Sequence, residues 1–120
     1  MTRVTRPTRA PGRPVSESDF QQTVIQLAKL NGWRVAHFRP AMNRRGVWAT
    51  QMQGDPGFPD LVLAREGVVI FVELKRERAK LTAEQQAWRW ALGAGRPGCN
   101  AHIWYPSMWD SIVELLAKGA

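Results

Sequence analysis

Gly57-Phe58-Pro59-Asp60-Leu61-Val62-Leu63-Ala64 and, after Arg65-Glu66-Gly67, Val68-Val69-Ile70-Phe71-Val72-Glu73-Leu74-Lys75 decide the fold. Two short apolar runs rich in Val, Ile, Leu and Phe, separated by a glycine-containing turn, predict a β-hairpin. The second run is apolar at five consecutive positions, which predicts a strand buried on both faces. Glu73 and Lys75 then interrupt it, and being two apart they share a face. Asp60 opens the neighbouring strand. Paired strands lie about 4.8 Å apart, so a suitable register brings Asp60 and Glu73 together. Two carboxylates and an ammonium at the end of a buried hairpin are costly unless they bind something or neutralise one another.

The chain of 120 residues is long enough for one modest core. Its apolar fraction and mixed charge describe a globular protein. No apolar run approaches the roughly 18 residues that a membrane span needs, and the basic N-terminus lacks the apolar centre of a signal peptide. The single cysteine, Cys99, excludes an intramolecular disulfide and a cysteine-based zinc cluster. A cytoplasmic location is the expectation. Net charge is +7, and residues 1–14 hold four arginines and no acid. We expect 1–14 to be a basic disordered tail and 15–120 to be the domain. A basic tail on a mildly basic body fits a nucleic-acid partner, or merely aids solubility.

Upstream of the hairpin, Ser16 with Asp19 reads as a helix start, with Ser18 and Gln21 as the alternative. Phe20, Val24, Leu27 and Ala28 recur at helical spacing, and Asn31-Gly32 ends the helix. Glu17 extends the inward stripe and not the polar face. It is either an acid favoured by the helix dipole or a group aimed at a site. Residues 33–38 predict a strand. Residues 39–56 read as irregular, and a loop of this length is commonly functional. There Arg39, Arg44, Arg45 and Trp48 interleave cations with an aromatic ring. That pattern suits nucleic-acid contact, or a solvated loop with Trp48 folded back as a plug.

Downstream, Arg76-Glu77-Arg78-Ala79-Lys80 is a charged connector. Thr82 to Gln85 repeats the capping-box pattern and opens a helix to about Leu92, with Trp88, Ala91 and Leu92 as its apolar face. Gln85 also faces inward, either to close the capping box or to reach a polar site. Residues 101–105 form a short strand. Ser107 starts a final helix with Met108, Ile112, Leu115 and Leu116 inward. The six tryptophans are expected to serve mainly as core. The order is α-β-β-β-α-β-α: an α/β fold, a mixed β-sheet flanked by helices.

Asp60 and Glu73 offer hard oxygen ligands of the kind that select Mg²⁺ or Mn²⁺. Such an ion lowers the pKa of bound water and stabilises charge on a phosphoryl oxygen. Lys75 on the same face has an electrostatic and positioning role. The implied reaction is metal-assisted hydrolysis of a phosphodiester, with an Asp–Lys–Glu ion-pair network as the alternative reading. No nucleotide-binding glycine loop and no Gly-x-Ser-x-Gly motif is present, so no nucleotide cofactor is expected. His37 and His102 lack metal-ligand spacing.

Pro59-Asp60 followed by Glu73-Leu74-Lys75 matches the PD-(D/E)XK nuclease motif. The surroundings sharpen the match: Glu17 with the Phe20–Ala28 helix, Gly32-Trp33, Gly57-Phe58-Pro59-Asp60-Leu61, Leu81-Thr82 through Gln85, and Trp109-Asp110. Over about residues 16–116 the chain resembles a VRR-Nuc domain of the small stand-alone type found in phages and bacteria. The resemblance implies a restriction-endonuclease-like core that cuts DNA with Mg²⁺ or Mn²⁺. It implies Asp60, Glu73 and the Leu74 carbonyl as metal ligands and Lys75 as the catalytic lysine. Glu17 would aid metal or water binding, and Gln85 would stand beside the site. Relatives of this type include dimeric enzymes that resolve branched DNA such as Holliday junctions, so branched DNA and a homodimer are the expected partners. Two other expectations stand beside an endonuclease: a non-catalytic DNA-binding module, and a nuclease subunit of a larger recombination or packaging complex.

Overall fold

A computed structural model describes residues 3–7, 14–38, 41–42, 46, 48–49 and 54–119. Helix α1 (Glu17–Leu30) is followed by strands β1 (Arg34–His37), β2 (Ala41–Met42), β3 (Trp48–Ala49), β4 (Leu61–Arg65) and β5 (Val68–Leu74). Then come helix α2 (Ala83–Ala91), strand β6 (Ala101–Trp104), a 3₁₀ turn (Pro106–Met108) and helix α3 (Trp109–Lys118). The sheet runs β1-β4-β5-β6. Its first three strands are antiparallel, and β6 is parallel to β5. This is the mixed, helix-flanked α/β sheet expected from the sequence.

The hairpin closes as its sequence dictates. Glu66 and Gly67 both have positive φ, at 50° and 83°, the geometry of the two-residue turn that matches strand twist. The resulting register sets Leu61 opposite Val72 and Leu63 opposite Ile70. These four residues and Leu74 are fully buried and form one face of the sheet. Against that face pack Phe20, Val24, Leu27 and Ala28 of α1 and Ile112 and Leu116 of α3, with Trp33, Trp104 and Trp109. Each fully buried Leu, Val or Phe contributes about 1.5–3 kcal/mol. Ser16 caps α1 by accepting from the Asp19 N–H at 3.0 Å.

The structure departs from the sequence expectations at five places. Val69 is 42% exposed, so β5 is buried on both faces only toward its C-terminal end. Residues 39–56 are not wholly irregular, because β2 and β3 pair antiparallel through Ala41–Ala49 and Met42–Trp48. Helix α2 buries none of its residues, and Ala91 on its expected apolar face is exposed. Ser107 does not cap α3: its N–H is held instead by the Glu77 carboxylate, and α3 begins at Trp109 out of the 3₁₀ turn. Trp90, expected to add to the core, is 73% exposed. In the basic N-terminal segment, Val4 packs against the core and the Arg6 guanidinium pairs with Asp110 at 2.9 Å. No described helix is long and apolar enough to cross a membrane.

Candidate active site

The hairpin register carries Asp60 to the position just before β4 and Glu73 to the last turn of the pleat in β5. Leu61 pairs with Val72, so the next step outward sets Asp60 beside Glu73. The Phe38 N–H donates to the Asp60 carbonyl at 2.9 Å, which continues the β1–β4 ladder and fixes the Asp60 backbone. The Leu74 N–H donates to Asp60 Oδ2 at 2.8 Å. In a strand the N–H and C=O of one residue face the same neighbour, so the Leu74 carbonyl also turns toward the Asp60 side. Lys75 continues past β5, its N–H donating to the Trp104 carbonyl at 3.0 Å.

Glu73 lies on the sheet face opposite the main core and yet is only 2% exposed. Helix α2 covers it. Gln85 Nε2 donates to Glu73 Oε1 at 2.8 Å. The same side chain closes the capping box: Gln85 Oε1 accepts from the Thr82 N–H at 2.9 Å, and the Gln85 N–H donates to Thr82 Oγ1 at 3.1 Å. Capping and reaching the site were alternative readings of Gln85, and its two amide atoms do both.

Sequence reasoning missed how α2 is pressed onto the site. Gly57, at φ +92°, lies so close that a Cβ there would stand 2.6 Å from the Glu84 carbonyl carbon and 2.8 Å from the Gln85 nitrogen. The next residue, Phe58, is a hub. Its ring meets Phe38, Phe71 and Trp88 edge-to-face at centroid distances of 5.3, 6.1 and 5.0 Å. Trp88 Nε1 donates to the Asp55 carbonyl at 3.1 Å. A glycine before a Phe-Pro-Asp run hints at a close approach, but nothing local says what approaches.

The electrostatics follow from burial. Burial and the charge of Asp60 push the Glu73 carboxyl up to about 8, against the pull of Lys75. Burial also raises Asp60, opposed by the Leu74 N–H and by Lys75. Glu17, half-buried at the first position of α1, is near enough for its charge to raise both carboxyls. Asp60, Glu73, Lys75, Glu17 and Gln85 are therefore brought to one place from α1, β4, β5 and α2. Arg39, Arg44 and Arg45 lie outside the described residues, and Trp48 is described only by its backbone in β3. His37 and His102 stand on β1 and β6, with the whole hairpin between them.

Among the described residues no group of three or more His, Cys, Asp or Glu side chains forms a metal cage by itself. Mg²⁺, however, is commonly held by one or two carboxylates together with water and substrate phosphate. The donor set here is of that kind. A buried carboxylate beside a half-buried one concentrates negative charge, and either a proton on Glu73 or a divalent cation relieves it.

No protein-family model and no curated protein matches this sequence. A solved structure described as a VRR_NUC domain is similar to it, with a TM-score of 0.58 and 21% sequence identity, over 87% of this chain and 97% of that one. At that identity the comparison speaks for architecture, and the chain has the fold of a VRR_NUC domain.

Proposed function

We propose that the chain is a Mg²⁺- or Mn²⁺-dependent DNA endonuclease that hydrolyses phosphodiester bonds, selective for branched DNA such as four-way junctions. The observation that carries this reading is the Asp60–Glu73 pair. It stands at the end of the hairpin with Glu73 buried and Asp60 half-buried, Lys75 on the same face and Gln85 brought to it from a separate helix. A purely structural ion pair needs neither a second carboxylate nor a glutamine from another element. Asp60, Glu73 and the Leu74 carbonyl would hold the ion, with Glu17 beside them. When bound, the ion supplies Lewis-acid stabilisation of the phosphoryl oxygen and a more acidic water. The Leu74 N–H fixes the Asp60 oxygen, and Gln85 fixes the Glu73 oxygen. Lys75 sets a positive charge where negative charge develops on the phosphate.

One site per chain makes paired cuts across a junction awkward, so a symmetric homodimer suits this activity. The proposed setting is the cytoplasm, where junction DNA and Mg²⁺ meet. The test is a cleavage panel of linear, flap, fork and four-way DNA with Mg²⁺ or Mn²⁺. Wild type should cut the branched substrates best, while folded Lys75→Ala and Asp60→Ala should lose cutting on all of them. Undiminished cutting by both variants would remove the site from the reading. Equal cutting of all four substrates would remove the branched-DNA selectivity alone.

A further inference from the structure

The charged connector after Lys75 follows a path held by hydrogen bonds to the segment after β6. Residues 76–80 carry three cations, Arg76, Arg78 and Lys80, and one acid, Glu77. The Glu77 carboxylate is taken up by the Ser107 N–H. The three cations are exposed and form no ion pair with any described residue. Arg78 and Lys80 line an open groove of about 600 Å³ whose other walls include Glu77, Thr82 and Tyr105, so its charged lining is two cations to one acid. The Tyr105 hydroxyl donates to the Ala79 carbonyl at 3.2 Å, so the connector is pinned to the strand side of the groove. Arg78 holds φ +65°, a conformation that L-residues rarely adopt.

One wall residue of the groove, Thr82, is tied to the candidate active site through Gln85. Two hydrogen bonds join them: Thr82 N–H to Gln85 Oε1 at 2.9 Å, and Gln85 Nε2 to Glu73 Oε1 at 2.8 Å. From Lys75 to Lys80 the chain can span at most about 18 Å. A DNA strand rises about 3.4 Å per nucleotide, so the groove lies within a few nucleotides of the site. Cations that pair with no described residue, standing at the wall of an open groove, suit a polyanion such as a phosphate backbone.

We propose that this groove binds the sugar–phosphate backbone of the DNA strand that runs through the candidate active site, with Arg78 and Lys80 as its phosphate contacts. The proposal rests on the nuclease reading for the identity of the strand. Its test does not need cleavage. Binding of the full chain to a short fluorescent DNA duplex would be measured without divalent ions over a range of salt. Wild type would be compared with Arg78→Gln/Lys80→Gln and with a charge-matched control, Lys29→Gln/Arg34→Gln, at the last turn of α1 and the first residue of β1. Each lost phosphate contact lowers the slope of log affinity against log salt by about 0.9. The groove variant should therefore bind more weakly, with a slope shallower by about 2, while the control keeps the wild-type slope. Thermal melts of both variants should match wild type, since these side chains are exposed.

Equal slopes for wild type and the groove variant, or the same loss in the control, would overturn the proposal. So would an absence of binding by wild type. The nuclease reading is judged separately, by Mg²⁺-dependent cutting of DNA by wild type against Lys75→Ala. A chain that binds through the groove but never cuts would leave the groove standing and sink the nuclease.

Discussion

At the scale of single residues, Gln85 performs two tasks with one side chain, and substitution can separate them. Its Oε1 accepts from Thr82 N–H and its Nε2 donates to Glu73. A glutamate retains the capping acceptor but sets a carboxylate against Glu73. Gln85→Glu should therefore keep the start of α2 and yet lower cleavage at least tenfold. Gln85→Ala should lose both, while the Thr82 hydroxyl keeps its bond from the residue-85 N–H, and the lost bond from the Thr82 N–H should cost about 0.5–1.5 kcal/mol. Melting curves and cleavage rates of the two variants check this, and equal cleavage by Gln85→Glu and wild type would detach Gln85 from the site. Glu73 makes a second prediction, about pH. Its folded value, pushed up from 4.5 to about 8 by burial and by Asp60, lies above its unfolded one. The folded chain then binds that proton more tightly. The stability this contributes is complete below pH 4.5 and is lost as the pH rises toward 8. His102, lowered by burial and by Arg89, works the opposite way, and its contribution is lost as the pH falls below 6.5. Without divalent ions, the melting temperature of wild type should fall on the alkaline side and that of Glu73→Gln should stay flatter. Added Mg²⁺ should restore wild type at pH 8 and leave Glu73→Gln unchanged. Parallel profiles for the two proteins would show that Glu73 does not carry the ionisation. The inward facing of Glu17 and Gln85 was legible in the sequence, because helical spacing reports a face. The shared use of Gln85 was not, because spacing does not report which atom meets which partner.

At the scale of elements, α2 is the weakly held one. None of its residues is buried. Its attachment is the Gln85–Glu73 hydrogen bond, the Trp88 contacts to Phe58 and Asp55, and the backbone of Gly57 pressed against Glu84 and Gln85. An alanine at 57 would meet backbone atoms at 2.6–2.8 Å in a conformation L-residues avoid, and backbone cannot swing aside as a side chain can. Gly57→Ala should cost about 1–3 kcal/mol and lift α2 off the sheet. Hydrogen exchange should then show lost protection in 83–91 with the β4–β5 ladder unchanged, and cleavage should drop with it. Unaltered exchange in α2 would mean that the close approach is not what seats the helix. The sequence foretold α2 itself through Thr82 and Gln85, which are neighbours in the chain. It overstated the cover of the helix's apolar face, where Trp88 and Leu92 are half-buried and Ala91 is exposed, because a stripe of Trp and Ala records period and not cover. The same limit applies to Val69, which reads as core in a run of apolar residues but finds no layer above it. It applies to Ser107 as well, whose role as a helix cap was displaced by Glu77, thirty residues upstream.

At the scale of the whole molecule, the sheet has two ends with different work. One end carries Asp60, Glu73 and Lys75. The other end is closed by Arg65, the last residue of β4. Its guanidinium Nη1 donates to the Asn31 and Leu116 carbonyls at 3.0 Å each, where α1 and α3 end. The same group lies over the Trp33 ring, 4.7 Å from its centroid, while Trp33 Nε1 donates to the Leu116 carbonyl at 2.9 Å. One side chain thus ties both core helices to the hairpin turn, and a cation at two helix C-termini also answers their dipoles. The order of elements was legible because each has a local signature in turn, cap or period. This clamp was not, because backbone carbonyls leave no mark in a sequence, and Arg65 reads there only as a turn residue. Its energetics can be bounded. Hydrogen bonds from a charged donor contribute about 1.5–3 kcal/mol, and a cation over an indole adds about 0.5–1 kcal/mol. Arg65→Met retains most of the stem packing and removes both, so it should destabilise the fold by about 2–4 kcal/mol. Arg65→Lys retains the charge but not the planar fork, and should recover only part of that loss. Because the clamp and the site lie at opposite ends of β4, cleavage by either folded variant should keep its wild-type rate below the melting transition. A variant that stayed fully stable would show the clamp to be redundant. One that stayed folded but lost cleavage would show that the two ends of the sheet are coupled.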